Sequence, residues 1–231
     1  MPESQQFSRT LPSPSEPSKP RQRRADGDAT RLEIIEVAGR VFAEHGYHGT
    51  TSKAISERAK VNMAAVNYHF ESRDGLYLAV LKEVHHRFMS LDFLHKLSDS
   101  PLPPAEKLRH FFEALVRHIL ESDSWAIRVW AREVLAPTSM FEKIAREDIW
   151  PKFDALADII AAGADIKVDD PRMPRLVVST IAPCLIMLIT NRDTDTPVQS
   201  LYTTPSVKLA EGFWRFAMAG LSQIADDEDS Q

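Results

Sequence analysis

The fold is decided by residues 50–77, which read Thr-Thr-Ser-Lys-Ala-Ile-Ser-Glu-Arg-Ala-Lys-Val-Asn-Met-Ala-Ala-Val-Asn-Tyr-His-Phe-Glu-Ser-Arg-Asp-Gly-Leu-Tyr. Apolar residues recur here at helical spacing on both sides of a short turn at Val61: Ile55, Ala59, Val66 and Phe70. The pattern predicts two short helices joined by a tight turn. Such a helix-turn-helix places its second helix in the major groove of DNA, so DNA is the first partner to consider.

The second predicted helix carries small and polar side chains outside this apolar stripe. They are Met63, Ala64, Ala65, Asn67, Tyr68 and His69. The two alanines allow the helix to approach the groove floor and contact thymine methyl groups, and Asn67 can pair with an adenine edge. At the start of the helix, Asn62 can cap the backbone, whose exposed amides favour a phosphate.

The surrounding sequence resembles a known family. From about Thr30 to Leu81 the chain is similar to the DNA-binding domain of TetR/AcrR transcriptional regulators. Four stretches carry the resemblance: Val-Phe-Ala-Glu-His-Gly-Tyr at 41–47, Gly-Thr-Thr-Ser at 49–52, the helix-turn-helix, and Phe-Glu-Ser-Arg-Asp-Gly-Leu at 70–76. Within the family, Val-Asn-Met-Ala-Ala-Val-Asn-Tyr-His-Phe at 61–70 resembles the CecR-type branch.

The resemblance implies contacts to the phosphate backbone from two places. The matching residues are Thr51, Ser52 and Lys53 at the start of the first helix, and Tyr68, His69 and Arg73 at and beyond the end of the second. The family commonly has a tyrosine where this chain has Asn67, which points to a base contact there instead of a phosphate contact. The residues alone leave two alternatives: Tyr68 packs against the next helix, and His69 has a capping role.

The rest of the chain has helical period and no strand-like alternation, so we expect an all-α fold with about nine helices. A long fourth helix from Gly75 to about Leu97 should join a three-helix head at 29–75 to a domain at 76–231. The resemblance assigns that domain to ligand binding and dimerisation. Further helical segments are expected near 104–122, 124–136, 139–164 with a break at Pro151, 172–190 and 205–225.

The first 28 residues contain five prolines and many serines, which predicts a disordered arm. The arm ends in a basic cluster that includes Arg21, Arg23 and Arg24. These arginines can follow the DNA backbone or enter the minor groove beside the recognition helix. The alternative is a solvated basic tail without a DNA contact.

The net charge of −5 is unevenly distributed along the chain. Residues 1–90 hold 13 Lys and Arg against 11 Asp and Glu, whereas residues 91–231 hold 15 against 22. The small basic excess therefore lies with the helix-turn-helix, and the acidic remainder would be repelled by phosphate. This distribution favours one docking orientation on DNA.

Targeting, redox and metal signals are weak. The longest apolar run, Leu176–Ile189, is shorter than the roughly 20 residues of a membrane span, and the first residues lack the apolar core of a secretory signal. We therefore expect a cytoplasmic protein without a membrane partner. The single Cys184 excludes an intrachain disulfide. His85 and His86 are adjacent and would point about 100° apart on a helix, so no metal or other cofactor is expected.

Aromatic residues are dense after residue 87, and the resemblance implies that this region encloses a small molecule. The candidate pocket residues are Phe88, Phe111, Phe112, Trp125, Arg128, Trp130, Phe141 and Phe153. The plain alternative is that the aromatic residues form the helical core. Arg128 either meets an anionic group of the ligand or lies on a solvated helix face.

The last two predicted helices are unusually apolar. Residues on one side of the final helix make up the candidate dimer interface: Leu209, Phe213, Phe216, Ala217, Gly220 and Ile224. The resemblance implies that both helices pair with their copies in a second subunit to form a four-helix bundle. The alternative is packing within one subunit.

These features predict a homodimeric transcriptional regulator without enzymatic activity, most simply a repressor that a small molecule releases from a palindromic operator in double-stranded DNA. One rival is an all-α enzyme or small-molecule carrier whose helix-turn-helix is a packing module. The sequence contains no Gly-rich phosphate loop, metal-spaced ligand set or nucleophile motif that would support it. A second rival is a nonspecific architectural DNA-binding protein.

Overall fold

The computed structural model describes residues 19–121, 125–190, 192 and 194–226, and the side chains among them from residue 27 to residue 223. These residues contain twelve α-helical segments, one π turn and no strand. The elements are α1 (Lys19–His45), α2 (Ser52–Ala59), α3 (Met63–Phe70), α4 (Arg73–Phe88), α5 (Leu91–Ser98), α6 (Pro104–Glu121), α7 (Trp125–Leu135), α8 (Phe141–Ile144), the π turn (Ala145–Ile149), α9 (Trp150–Ala164), α10 (Met173–Ile189), α11 (Gln199–Thr203) and α12 (Ser206–Asp226). The predicted all-α fold class is confirmed.

The helix-turn-helix forms where the sequence predicts it. The apolar residues of α2 and α3 are buried against α1 and α4: Ile55, Ala59, Val66 and Phe70. The turn between the two helices begins at Lys60, whose φ of 54° places it in the left-handed region. The buried apolar stripes fix how α3 sits on the rest of the head, and hence which of its side chains face outward.

Side-chain caps set the starts of α2 and α3. The Thr51 hydroxyl accepts a hydrogen bond from the Ala54 amide at 3.1 Å, and the Asn62 side chain accepts one from the Ala64 amide at 3.0 Å. The predicted capping role of Asn62 is confirmed. At the start of α4, a Cβ on Gly75 would lie 2.1 Å from a backbone oxygen, so the close turn after α3 requires glycine there.

The predicted fourth helix from Gly75 to Leu97 is wrong, because the structure divides it into α4 and α5. Met89 adopts an extended conformation, and the Ser90 side chain accepts a hydrogen bond from the Phe93 amide at 3.1 Å. A serine that caps a new helix competes with continuation of the previous one. The apolar periodicity of the two helices hides this break.

Two further boundaries and the number of helices differ from the predictions. Residues 19–28 belong to α1 and are helical, whereas the other predicted arm residues, 1–18, lie outside the described part of the chain. The predicted break at Pro151 is absent, because the π turn directly before it leads without interruption into α9. Proline removes one α-helical hydrogen bond and crowds the preceding turn, and the wider π turn tolerates both effects. The count of about nine helices missed the short segments.

The cores of the head and the body meet at α7. Trp125, Ala126 and Val129 of α7 are buried together with the side chains of α1 and α4, and Ile144 of α8 joins them. The predicted division after residue 75 therefore cuts through one cluster of buried side chains. In the body, α6 packs extensively against α12, and α9 and α10 complete the second core. Among the described helices, none is long and apolar enough to cross a membrane.

Candidate DNA-contacting surface and ligand cavity

The outward face of α3 is open to solvent. Ala64, Asn67 and Tyr68 are exposed, and Tyr68 has 84% of its surface accessible. This exposure contradicts the alternative in which Tyr68 packs against α4. Met63, Ala65 and His69 are half-buried beside them. The face therefore combines small side chains, an amide and a phenol, which suits contact with both groove floor and backbone.

The start of α2 presents a second polar group on the same domain. Thr51 and Lys53 are exposed, and Ser52 is half-buried. The Lys53 Nζ lies 3.9 Å from Glu57 Oε1, and both side chains of this ion pair are largely exposed to solvent. The Thr51 oxygen accepts the capping hydrogen bond, so its hydroxyl proton can still be donated to a phosphate.

Arg73 has internal contacts that sequence reasoning missed. Its Nη1 donates a hydrogen bond to the Thr50 carbonyl at 3.2 Å, and its guanidinium lies 4.3 Å from the centre of the Tyr47 ring. The Tyr47 hydroxyl in turn donates to Asp74. Arg73 therefore orders the turn directly before Thr51, and its expected phosphate contact stays a prediction.

The head is also fixed by an ion pair across its helices. Arg58 of α2 donates two hydrogen bonds to Glu44 of α1, with lengths of 2.6 and 2.9 Å. This contact lowers the pKa of the Glu44 carboxyl group. The predicted arm residues Arg21, Arg23 and Arg24 lie on α1 by their backbone, but their side chains are outside the described part of the structure.

A cavity of about 350 Å³ lies in the helical body, within the size range of small-molecule sites. Its lining is mostly apolar and comes from α4 to α7, α8, the π turn, α9 and α10. The lining residues are His85, Phe88, Met89, Leu94, Phe111, Leu115, Trp130, Val134, Phe141, Ile149, Lys152, Phe153, Leu156, Val177, Ile181, Cys184, Leu185 and Leu188. The π turn contributes Ile149, and π turns often occur at functional sites.

The structure brings together five of the eight predicted pocket residues: Phe88, Phe111, Trp130, Phe141 and Phe153. The other three lie elsewhere. Phe112 is fully buried in the body core, and Trp125 packs into the head, where its Nε1 donates to Glu36 at 2.9 Å. Arg128 is on the exposed face of α7. Helical spacing indicates that an apolar residue is buried, but it does not show which of the two cores that residue joins.

His85 and Lys152 form a polar end of the cavity that the sequence analysis did not identify. Burial, with the nearby Lys152 charge, lowers the pKa of His85 to about 3, and burial lowers the pKa of Lys152 to about 8. The signal in the sequence was the spacing: His85 follows Leu81 by four residues, so both side chains lie on the same inward side of α4. Cys184 also lines the cavity, and burial raises its pKa to about 12. Across the residues that the structure describes, no cluster of three metal-ligating side chains occurs.

A buried carboxylate joins α4 to α7. Glu133 is 1% exposed and accepts hydrogen bonds from the Tyr77 hydroxyl at 2.7 Å and from the amide and hydroxyl of Thr138 at 2.9 and 2.8 Å. Burial and the Glu133 carboxylate raise the pKa of Tyr77. The three donors compensate for the removal of the charge from water. This link ties the helix after the recognition helix to the cavity-lining body.

The candidate interface residues of α12 differ in how deeply they are buried within the subunit. Leu209 and Ala217 are buried within the subunit, and Phe213 is half-buried near Phe112, with ring centres 6.4 Å apart. Phe216 is 76% exposed and Gly220 is exposed, whereas the side chain of Ile224 is outside the described residues. The buried members of the set pack inside the subunit, so only its exposed members are available to a second copy. Phe216 and Gly220, four residues apart, lie next to each other at the exposed edge of this side, and the interface itself stays a prediction.

Two family models match the chain. Residues 34–80 match the model of bacterial regulatory proteins of the tetR family. Residues 104–221, about half of the chain, match the C-terminal domain of the HTH-type transcriptional dual regulator CecR. The first match covers the helix-turn-helix, and the second covers most of the cavity-lining body.

Individual relatives agree with these matches. CecR of Shigella flexneri is 27% identical over 158 residues, which are 64% of this chain and 70% of that protein. The transcriptional repressor AcnR of Corynebacterium diphtheriae is 42% identical over 53 residues, only 23% of this chain and 28% of that protein. The structure of the regulator FadR from Bacillus subtilis in complex with stearoyl-CoA has a TM-score of 0.65 at 17% identity, over 82% of this chain and 98% of that one, which is a likeness of fold.

The two matched regions leave only short parts of the described chain unassigned. Because they account for both the helix-turn-helix and the helical body behind it, the chain belongs to the tetR family of bacterial regulatory proteins, which are DNA-binding transcriptional regulators, and carries a CecR-type C-terminal domain.

Proposed function

We propose that this protein is a homodimeric repressor that binds a palindromic operator and leaves it when a small molecule occupies the cavity. The observation that carries the proposal is the position of α4. This helix follows the exposed recognition helix directly, and its last turns supply His85 and Phe88 to the cavity wall. A ligand that favours a different position of α4 would therefore shift α3.

The proposed DNA contacts are divided between positioning and base recognition. Ala64, Ala65 and Asn67 meet base edges in the major groove, because they occupy the outward side of α3. The proposed backbone contacts come from Thr51, Ser52, Lys53, Asn62, Met63, Tyr68 and His69, with Arg73 in a supporting position. We also assign Arg21, Arg23 and Arg24 to the DNA contacts, so removal of residues 1–24 should flatten the salt dependence of DNA binding.

The proposed second subunit binds the exposed apolar faces of α10 and α12. Val178 and Ile186 of α10 and Phe216 of α12 are large apolar side chains with high exposure in the single chain. Gly212 and Gly220 lie one turn on either side of Phe216 and permit close approach of a second helix. Pairing of these faces would set the two copies of α3 at the spacing of successive major grooves, about 34 to 36 Å.

Two rival functions make different predictions about DNA. An enzyme or carrier with an unused helix-turn-helix has no reason to keep Tyr68 and Asn67 exposed beside each other. An architectural protein has no need of an apolar cavity among the helices. The proposed role also requires the cytoplasm, where the chromosome is accessible.

Footprinting tests the proposal directly. Purified protein should protect a short inverted repeat in the DNA that flanks its own gene, while an equal length of unrelated DNA should stay unprotected at the same concentration. Uniform protection of all DNA would favour the architectural function. Complete absence of protection along the flanking DNA would favour the enzyme or carrier.

A further inference from the structure

The polar end of the cavity contains a lysine with an unusual environment. The Lys152 Nζ donates a hydrogen bond to the His85 backbone oxygen at 2.8 Å and lies 3.4 Å from Nδ1 of the same histidine. Both side chains line the cavity, whose other walls are almost entirely aliphatic, aromatic or sulfur-containing. The cavity therefore has one charged end and a long apolar remainder.

Lys152 also borders a surface depression that contains Asp92, Glu147 and Asp148, but none of these carboxylates pairs directly with its ammonium group. Among the described residues, no carboxylate lies within ion-pair distance of its Nζ, and Asp148 favours its charged form only from a greater distance. Burial lowers the pKa of the ammonium group to about 8, so most molecules keep the charge at neutral pH. A partly buried cation without a counter-ion is unfavourable, and an anion that enters the cavity would offset this cost.

His85 supplies a second donor at the same end. An ammonium group can only donate, so Nδ1 facing Lys152 is an acceptor and the proton of the neutral ring lies on Nε2. His85 is 8% exposed, its ring packs edge-on against Trp130 with ring centres 4.3 Å apart, and no nitrogen or oxygen atom of the described residues accepts a hydrogen bond from Nε2. A buried donor of this kind normally has a partner. An oxygen atom of a ligand in the cavity would provide one.

We propose that the ligand of this cavity is an apolar molecule that ends in a single carboxylate, paired with the Lys152 ammonium and hydrogen-bonded by the His85 Nε2–H group. The inference rests on the proposed function only for the claim that the cavity is the effector site. A cationic ligand would be repelled by Lys152. A phosphate with two charges would leave one of them uncompensated, because the lining contains a single cationic side chain.

Calorimetry with three probes of equal chain length tests this chemistry: decanoate, 1-decanol and decyltrimethylammonium. The wild-type protein should bind decanoate about tenfold or more tightly than 1-decanol, because the carboxylate adds charge-assisted hydrogen bonds to the same apolar contact. The cationic probe should bind most weakly. Equal affinity for decanoate and 1-decanol, or no binding of either, would overturn the proposal.

Substitutions then locate the preference. Lys152→Met should abolish the advantage of decanoate and leave 1-decanol binding nearly unchanged, which also shows that the cavity is intact. Lys152→Arg should retain much of the preference, since the charge remains. Leu185→Trp fills the apolar part and should weaken all probes alike, as a matched control. A full decanoate preference in Lys152→Met would contradict the assignment.

A parallel measurement separates this inference from the proposed function. Operator DNA is titrated with the wild-type protein in the presence of each probe. Release by 1-decanol, without any advantage of decanoate in binding, would support effector control and overturn the carboxylate assignment. Selective decanoate binding without operator release would support the ligand class and contradict the proposed role of the cavity.

Discussion

Adjacent residues of α3 offer DNA different kinds of contact. Asn67 presents an amide with one donor and one acceptor, which matches the edge of adenine in the major groove. Tyr68 presents a hydroxyl at the end of a ring that is almost wholly exposed. A single hydroxyl can hold a phosphate oxygen but cannot distinguish base pairs by two simultaneous hydrogen bonds.

Substitution of these two residues should therefore separate specificity from affinity. Asn67→Ala should cost about 1 to 3 kcal/mol on the operator and relax preference at one base pair. Tyr68→Ala should weaken binding to operator and unrelated DNA by similar factors. Gel shifts on the operator, on single-base variants and on unrelated DNA check both. Equal losses on every sequence for Asn67→Ala would remove this residue from base recognition.

The charge on Lys152 should make ligand affinity depend on pH. A bound carboxylate favours the ammonium form, so binding above pH 8 must be accompanied by uptake of a proton. Affinity for decanoate should be constant near pH 7 and fall as pH rises through about 8, while affinity for 1-decanol stays flat. Besides Lys152 itself, the charged and titratable groups that face it are His85 and His86 on α4, Asp92 on α5, and Glu147 and Asp148 in the π turn.

At the scale of elements, α4 is the connection between ligand and DNA. Lys152 holds the His85 carbonyl in the last turn of α4, and Glu133 holds Tyr77 in its first half. A ligand carboxylate would compete for the Lys152 ammonium and so weaken the first of these links. The end of α4 would then be freer to move, together with the recognition helix before it.

The contact between α1 and α7 depends on a glycine. A Cβ on Gly39 would lie 2.4 Å from the Trp125 ring, whereas a Cβ on Gly27 in the same helix would meet no atom within 4 Å. Alanine favours a helix over glycine by about 1 kcal/mol, and overpacking costs about 1 to 3 kcal/mol. Gly39→Ala should therefore lower the free energy of unfolding, while Gly27→Ala should leave it unchanged or raise it slightly. Urea unfolding of both variants measures the difference, and equal stability would show that Trp125 relaxes freely.

Local signals explain which elements could be predicted from the sequence. The helix-turn-helix and the Asn62 cap were predictable, because their partners are within a few residues in the chain. The links from Tyr77 to Glu133 and from His85 to Lys152 were not, since they join residues 56 and 67 positions apart. For the same reason the sequence could not show that Trp125 packs into the head and not into the cavity. Periodicity shows that a side chain is buried, and only packing shows against which helix.

At the scale of the whole molecule, a single subunit leaves apolar surface uncovered. The outer faces of α10 and α12 expose large side chains, although each helix buries its opposite face within the subunit. Exposed apolar surface is typical of interaction sites when it forms a contiguous patch. A second copy is the occupant that would also place two recognition helices on one operator.

Phe216→Glu should therefore separate the dimer while each subunit stays folded, because Phe216 is largely exposed in the single chain. In the dimer the carboxylate would be buried without a partner, at a cost of roughly 3 kcal/mol or more. This corresponds to dimerisation that is about a hundredfold weaker. Operator affinity should fall by a similar factor or more, because one recognition helix alone loses the second half-site.

Val207→Glu is the matched control for this variant. Val207 is also a strongly exposed apolar residue of α12, but it lies nine positions before Phe216 and so points to the opposite side of the helix. Sedimentation velocity and gel shifts on both variants give the oligomeric state and the operator affinity. Loss of the dimer in Phe216→Glu alone places the interface on the outer face of α12. If Phe216→Glu stays dimeric and binds the operator normally, the two subunits must meet through another surface, because an unpaired carboxylate at a buried contact would have separated them.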